Sequence, residues 1–255
     1  MTTASTVVAR LRAAGCVFAE EEAELLVGQA ADATDLDRLV AARVAGLPLE
    51  QVLGWAEFAG LRVVVEPGVF VPRRRTTLLV RLALDRLARR AAGAVVVDLC
   101  CGSGAVAAAV RAARPDADVH AADLDPAAVA CARRNLPPAT VHEGDLFDAL
   151  PRHLLGRVDV LVANAPYVPT GDVALMPPEA RDHEHRVALD GGGDGLDVQR
   201  RVAAGATPWL APGATVLVET GRHQAERSAA LLRAAGLRTE IVLDDEVGGC
   251  AVLGR

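Results

Sequence analysis

From about residue 76 the chain alternates short β-branched runs with helical stretches, and that alternation leaves few folds open. Extended runs fall near 94–99, 118–123, 139–143, 158–163, 213–219, 238–243 and 249–253, with helical patterns between most of them. Strands separated by helices form a mostly parallel sheet covered on both faces. The last two runs differ. Only Asp244 to Gly249 joins them, which is too short for a helix, so the connection is a hairpin and the final strand runs antiparallel. The expected fold class is α/β, with a seven-stranded Rossmann-like sheet over residues 76–255.

Ahead of this body, residues 3–14 and 19–30 place apolar side chains at helical spacing (Val7, Val8, Leu11; Ala23, Leu26, Val27, Ala30), with Gly15 between them. A third helix starts near Thr34, carries Leu36, Leu39, Val40 and Val44, and ends at Gly46 and Pro48. Residues 1–48 therefore read as a small helical domain. Its run Glu20-Glu21-Glu22 reads as a solvated helix start, where negative charge suits the helix dipole. Residues 49–75 read as a linker. They contain a hairpin turning at Gly60, a turn at Pro67-Gly68 and an extended piece, Val69-Phe70-Val71, that stops at Pro72. Arg73-Arg74-Arg75 reads as a solvated basic patch opening a helix over 76–91.

Composition narrows the function classes. The 255 residues allow one large domain with a small appendage, and 51% hydrophobic residues supply a sizeable core. Aromatic residues are only 3% and the net charge is −6, so no base-stacking surface and no direct nucleic-acid binding are expected. Five cysteines, at irregular spacing and without a Cys-x-x-Cys pair, indicate neither a disulfide framework nor a metal site. Reduced thiols suit a cytoplasmic protein. The chain carries no signal-peptide pattern at its start and no apolar stretch long enough to span a membrane.

Chemistry concentrates at two strand ends. Asp98-x-Cys100-x-Gly102-x-Gly104 lies between a strand and a helix, where glycines let a ligand approach the backbone. Asp123 ends the next strand, placed to accept hydrogen bonds from both hydroxyls of a ribose. The bland reading is a tight turn plus a strand-end acid, but spacing and context together favour an adenosine-bearing cofactor. Gly102-x-Gly104-x-x-Ala107 partly satisfies the looser dinucleotide fingerprint, so a nicotinamide dinucleotide stays open at this point. Three features favour S-adenosylmethionine. Asp98 suits the methionine ammonium, Asp145 and Leu146 after the third strand suit adenine, and a polar turn ends the fourth strand. No histidine adjoins these strand ends in sequence; His120, His142 and His153 read as strand or helix surface residues. Cys100 and Cys101 read as small packing residues, since methyl transfer from a sulfonium needs no nucleophile.

The polar turn is Asn164-Ala165-Pro166-Tyr167, closing the run that starts at Val158. Pro166 cannot continue a central strand, and ligands bind outside the carboxyl ends of strands in open α/β sheets. The Asn164 carboxamide, a free carbonyl and an aromatic wall suit a planar NH2 group, as in amides and exocyclic amines of bases. Such a nitrogen is a poor nucleophile, and two acceptors on its N–H bonds would aim it and enrich it. A plain strand-to-loop turn is the alternative for the four residues taken alone.

Over nearly its whole length the sequence resembles the HemK-type protein-glutamine methyltransferases, which methylate the side-chain amide nitrogen of a glutamine in a protein. The resemblance rests on Gly46-Leu-Pro-Leu-Glu-Gln-Val-Leu-Gly54, Glu57-Phe-Ala-Gly-Leu61, Pro67-Gly-Val-Phe-Val-Pro-Arg73, Asp98-Leu-Cys-Cys-Gly-Ser-Gly104, Asn164-Ala-Pro-Tyr167 and Ala188-Leu-Asp-Gly-Gly-Gly-Asp-Gly-Leu196. It implies an S-adenosylmethionine-dependent methyltransferase sheet with a helical substrate-recognition domain in front. It further implies that Asn164 and the Ala165 carbonyl bind the glutamine amide, beside Pro166 and Tyr167. Cys100, Cys101, Gly102, Ser103, Gly104, Asp123, Asp145, Leu146 and Asn164 would surround the cofactor. The implied partner is a protein of the translation apparatus, a release factor or a ribosomal protein. The chain departs from the family's usual residues at Cys100 (Gly), Ala165 (Pro), His185 (Pro) and Arg74-Arg75-Thr76-Thr77 (an acidic run). Pro177 to His185 resembles a family segment only faintly, and a solvated loop is its other reading. The rival functions are an RNA or DNA amino-methyltransferase, which shares the Asn-Pro-Pro-Tyr pattern, and a cofactor-binding protein without catalysis.

Overall fold

The computed structural model describes residues 4–255. Helices α1 (Ala4–Ala13), α2 (Ala19–Gln29) and α3 (Ala33–Val44) follow the apolar spacing of the sequence, and the Asp32 side chain caps α3 by accepting the Asp35 N–H. A short α4 (Leu49–Leu53) joins them, and Leu49, Val52, Leu53 and Trp55 pack on the same apolar cluster as Val7, Leu11, Leu26 and Val40. Five residues are too few to display a helical period, so this helix was not legible in the linker reading.

The acidic run is not uniformly solvated. Glu22 is buried, because it shares the inner face of α2 with Ala19 and Leu26. Its two carboxylate oxygens accept from Arg43 Nε at 2.6 Å and Nη2 at 3.0 Å. Arg43 Nη1 donates to the Leu47 carbonyl and, across to a distant segment, to Glu179 at 2.6 Å.

Strands β1 (Trp55–Phe58) and β2 (Leu61–Val64) form the expected hairpin. Its turn residues Ala59 and Gly60 both have positive φ, as a two-residue hairpin turn of matching twist demands. Helix α5 (Thr77–Leu87) then leads into the sheet. The sheet strands are β3 (Val95–Leu99), β4 (Asp118–Asp123), β5 (Val141–Glu143), β6 (Val158–Ala163), β7 (Leu210–Glu219), β8 (Thr239–Asp244) and β9 (Gly249–Gly254). Their spatial order is β5-β4-β3-β6-β7-β9-β8. The last strand is antiparallel, as expected, and it is inserted between β7 and β8. β5 is shorter than its apolar run suggested, because a tight turn over Pro138–Thr140 takes up the start of it.

Helices α6 (Ala105–Ala113) and α7 (Pro126–Asn135) lie with α5 on one face of the sheet, against Val96, Val160, Val162 and Leu217. After the short α8 (Pro178–His183), helices α9 (Asp197–Ala206) and α10 (Ala225–Ala234) cover Val97, Leu161, Val216 and Val252 on the other face. Alternate strand positions thus feed opposite cores, as both-face burial requires. Between β5 and β6 the connection is made only by tight single turns, Leu146–Ala149 and Arg152–Leu154.

His120 departs from its expected surface position. It is buried on β4, with Nδ1 3.0 Å from His142 Nε2 and the two rings stacked. His153 meets it edge-on. β4 is an interior strand whose middle positions, from Val119 to Ala122, are all buried, and His120 is one of them.

Arg43 supplies a stability test. Removing one partner of a buried, doubly hydrogen-bonded pair strands the other charge, at a cost of about 3–5 kcal/mol. Arg43→Ala is therefore expected to lower the urea midpoint by that equivalent, whereas Arg10→Ala, which removes an exposed pair with Asp37, is expected to change it by under about 1 kcal/mol.

Candidate active site

β3 is followed in sequence by β4 on one side and, after β5, by β6 on the other. Such a reversal of strand order opens a crevice at the carboxyl ends of the strands. One cavity occupies this place, and the sequence signatures converge on it. Asp98, Cys100, Cys101, Gly102, Ser103, Asp123, Asp145, Leu146, Asn164, Ala165, Pro166 and Tyr167 all line it. Gly104 does not. It caps α6 with positive φ, and a Cβ there would stand 3.0 Å from Leu136 and 3.2 Å from Ala132. Its smallness is a packing requirement.

The loop after β3 is built by its carboxylates. Asp123 Oδ2 accepts the Gly102 N–H at 2.8 Å, and Oδ1 accepts the Asp125 N–H at 2.9 Å. Each oxygen keeps a further lone pair for a ligand hydroxyl. Asp98 is buried, and its Oδ2 accepts the Ala107 N–H at 3.1 Å. Burial pushes Asp98 up to about 7; the Ala107 N–H opposes the rise and the Asp123 charge adds to it. Among the described residues no cation pairs with this buried carboxyl.

Cys100 and Leu146 hold positive φ of 56° and 50° at the cavity wall. Left-handed backbone costs an L-residue roughly 1–2 kcal/mol, and both lie where the chain turns sharply around the cavity. Burial, reinforced by Asp123 and Asp98, keeps the Cys100 and Cys101 thiols well above their ordinary range. A thiol held in its protonated form is a poor nucleophile, in keeping with the packing reading of the two half-buried side chains. Asp145 Oδ2 accepts from Arg201 of α9 at 2.7 Å, so α9 also contributes to this end of the cavity.

The turn after β6 is held from behind by the glycine-rich segment. Val168 N–H donates to the Leu189 carbonyl and Gly191 N–H to the Val168 carbonyl, so the two segments pair like short parallel strands. A Cβ on Gly191 would lie 2.7 Å from the Pro166 oxygen, and one on Gly195 would lie 2.4 Å from the Tyr167 oxygen. Gln224 Nε2 donates to the Tyr167 carbonyl at 3.0 Å. The Asn164 carboxamide, half-buried at the cavity wall, takes no protein partner among the described residues.

The basic patch reading fails in part. Arg73 and Arg75 both line the cavity. Arg73 donates to Glu184 at 2.5 Å, and that carboxylate also accepts the Val71 N–H. Arg75 Nε donates to Glu219 at 3.2 Å. Only Arg74 is exposed. The segment before the glycine run is mostly exposed, as its solvated reading has it, but it contains α8, buries Ala180 and Glu184, and sets His185 Nδ1 2.5 Å from Asp125 Oδ2. The cavity residues that sequence reasoning missed, among them Phe70, Met176, Val187 and Arg201, lie outside strand ends, and no local pattern marks them.

A family model described as "Methyltransferase small domain" matches residues 60–201. A release factor glutamine methyltransferase of Geobacter sulfurreducens is 39% identical over 220 residues, covering 85% of this chain and 75% of the relative. One from Moorella thermoacetica is 36% identical and covers 94% of this chain and 92% of its own. The chain belongs to the release factor glutamine methyltransferase family. The fold also matches a methyltransferase of known structure from Pyrococcus furiosus, at 16% identity and a TM-score of 0.54, over 76% of this chain and 88% of that one.

Within this family member, the glycine contacts give a direct test. Gly195→Ala adds a methyl against the Tyr167 carbonyl and forces a positive φ of 78° on an L-residue. The expected cost is on the order of 3 kcal/mol, read by urea unfolding. Gly193→Ala, with nothing within 4 Å of the added methyl, is the control and should stay within about 0.5 kcal/mol.

Proposed function

We propose that the chain transfers the methyl group of S-adenosylmethionine to the side-chain amide nitrogen of a glutamine in a protein of the translation apparatus, a peptide release factor before a ribosomal protein. The observation that carries the reading is one cavity lined both by the Asp98–Ser103 loop with Asp123 and Asp145, and by Asn164 to Tyr167. The names of the relatives support the choice of a release factor. The rival amino-methylation of nucleic acid lacks support in a chain of net charge −6 with 3% aromatic residues.

The residues fit the cofactor. Asp98, buried without a cation, suits its ammonium; Asp123 suits the ribose; Asp145, Leu146 and Arg201 surround the place for adenine. When bound, S-adenosylmethionine supplies a methyl group already activated by a sulfonium. The chain's part is then orientation. The Asn164 side-chain oxygen and the Ala165 carbonyl accept the two N–H bonds of the substrate amide, which directs its lone pair and raises its electron density. Pro166 stiffens the turn, the Tyr167 ring closes the side of the pocket, and the buried apolar walls exclude water. Positioning of this kind is worth several orders of magnitude in rate. In this reading residues 1–48 recognise the substrate protein and residues 49–75 link them to the catalytic body of residues 76–255. Among the described residues no helix is long and apolar enough to cross a membrane. A cytoplasmic site of action follows from the proposed substrate.

Two outcomes test the proposal. Asn164→Ala is expected to slow single-turnover methylation of a release factor by about 100-fold or more while the melting temperature holds. Turnover equal to the parent's, in a folded variant, overturns the amide-gripping role. The second concerns pH. An ammonium binds the ionised form of Asp98, whose carboxyl stands at about 7 in the free protein. Affinity for S-adenosylmethionine should therefore fall as pH drops below 7, by up to roughly tenfold per unit. Asp98→Asn should bind weakly with that slope abolished. Calorimetry across pH 5–8 reads both, and a parent affinity flat over that range counts against the assignment of Asp98.

A further inference from the structure

Beside the proposed acceptor pocket lies a charged group that the mechanism above does not use. Glu219 ends β7 with its side chain 3% exposed. Its Oε1 accepts the Tyr167 hydroxyl at 3.3 Å and Arg75 Nε at 3.2 Å. The Arg75 guanidinium also lies 5.9 Å from the centre of the Tyr167 ring. Among the described residues the other groups around Glu219 bring no second cation. Thr76 adjoins it from the turn before α5, the Cys250 thiol lies beside it from β9, and Gln199 of α9 donates to the Glu219 main-chain carbonyl at 3.2 Å. Its second carboxylate oxygen is buried without a partner.

An isolated carboxylate this deeply buried would be protonated near neutral pH. A protonated Glu219 would lose the charge that strengthens its hold on the Tyr167 hydroxyl and would carry a donor of its own at the same place. We propose that Arg75 is a positioning residue for the acceptor site: its pairing with Glu219 keeps that carboxylate ionised, so that Glu219 holds the Tyr167 hydroxyl and fixes the ring beside the acceptor nitrogen. The inference rests on the acceptor reading of Asn164 to Tyr167. Burial pushes Glu219 above the ordinary carboxylate range; the Thr76 hydroxyl, the Arg75 charge and the Tyr167 hydroxyl oppose that rise, and of these only Arg75 is a cation. Burial and the Glu219 charge push the Tyr167 hydroxyl up to about 12, so it remains a proton donor throughout the working range.

Tyr167 is the only tyrosine in the chain. Protein made with tyrosine carbon-13 labelled at Cζ therefore gives one ring signal, which reports whether the hydroxyl is held by an ionised carboxylate. In the parent the signal should show a titration step as Glu219 ionises. Arg75→Met should move the step upward by at least about one pH unit, Arg75→Lys should bring it most of the way back, and Glu219→Gln should abolish it. The acceptor KM of Arg75→Met at neutral pH should rise about tenfold, with kcat less affected and part of the loss recovered at higher pH. A step that stays in place in folded Arg75→Met, or a KM unchanged in that variant, overturns the proposal. The ring signal needs no turnover, so the two readings separate. A parent that shows the expected step yet transfers no methyl group to glutamine overturns the function proposed above, and leaves the Arg75–Glu219–Tyr167 linkage standing.

Discussion

Backbone lying directly against backbone is the constraint on which the candidate site depends. The carbonyl oxygens of Pro166 and Tyr167 approach Gly191 and Gly195 so closely that neither glycine has room for a Cβ. The pairing of Val168 with Asp190 runs along the same contact. Asp190 steadies the glycine segment in turn, accepting the Gly192 N–H and the Thr170 hydroxyl. A turn held only by side chains could shift by tenths of an ångström as they change rotamer. One held by main chain cannot, and catalysis by fixed acceptors needs such rigidity before the substrate arrives.

Much of this was legible before any coordinates. A hydrophobic run that stops at Asn164 and Pro166 marks a strand end, and strand ends in parallel sheets share one edge. The loop from Asp98 to Gly104 and the acid at Asp123 follow from the same rule, and all but Leu99 and Gly104 of them meet at one cavity. What stayed hidden has a common cause. Glu22, Glu184 and Glu219 are charged residues that the chain buries, and each is permitted inside by an arginine remote in sequence. A local pattern assigns charge to the surface because it cannot see the partner. His120 was misread similarly, since its burial is decided by the strands and loops around it. The glycines at 191–195 were visible as a run, but the carbonyls they accommodate belong to another segment.

The three arginine–carboxylate pairs also share a placement. Arg43 ties α2 and α3 to Glu179 on α8, Arg73 ties the extended piece after the hairpin to Glu184, and Arg75 ties the start of α5 to the end of β7. Each joins segments that the apolar cores leave in separate clusters or at their margins. Pairs of this kind add little net stability compared with apolar residues of similar size, but they tolerate only one geometry. For two of the three, the arginine of the pair, Arg73 or Arg75, lines the cavity itself.

The insertion of β9 between β7 and β8 carries a consequence for how the chain reaches its fold. Synthesis delivers β7 first, then β8, and β8 has no strand to join until β9 is present. Until then the edge of β7, whose residues from Ala214 onward are all buried in the finished protein, is an open row of unpaired main-chain groups. The β8–β9 hairpin is local, and Asp244 sets its turn by accepting the N–H groups of Glu246 and Val247. Order of synthesis therefore leaves the β7 edge without a partner until β9 has been made, and one hairpin closes it along Val216–Glu219.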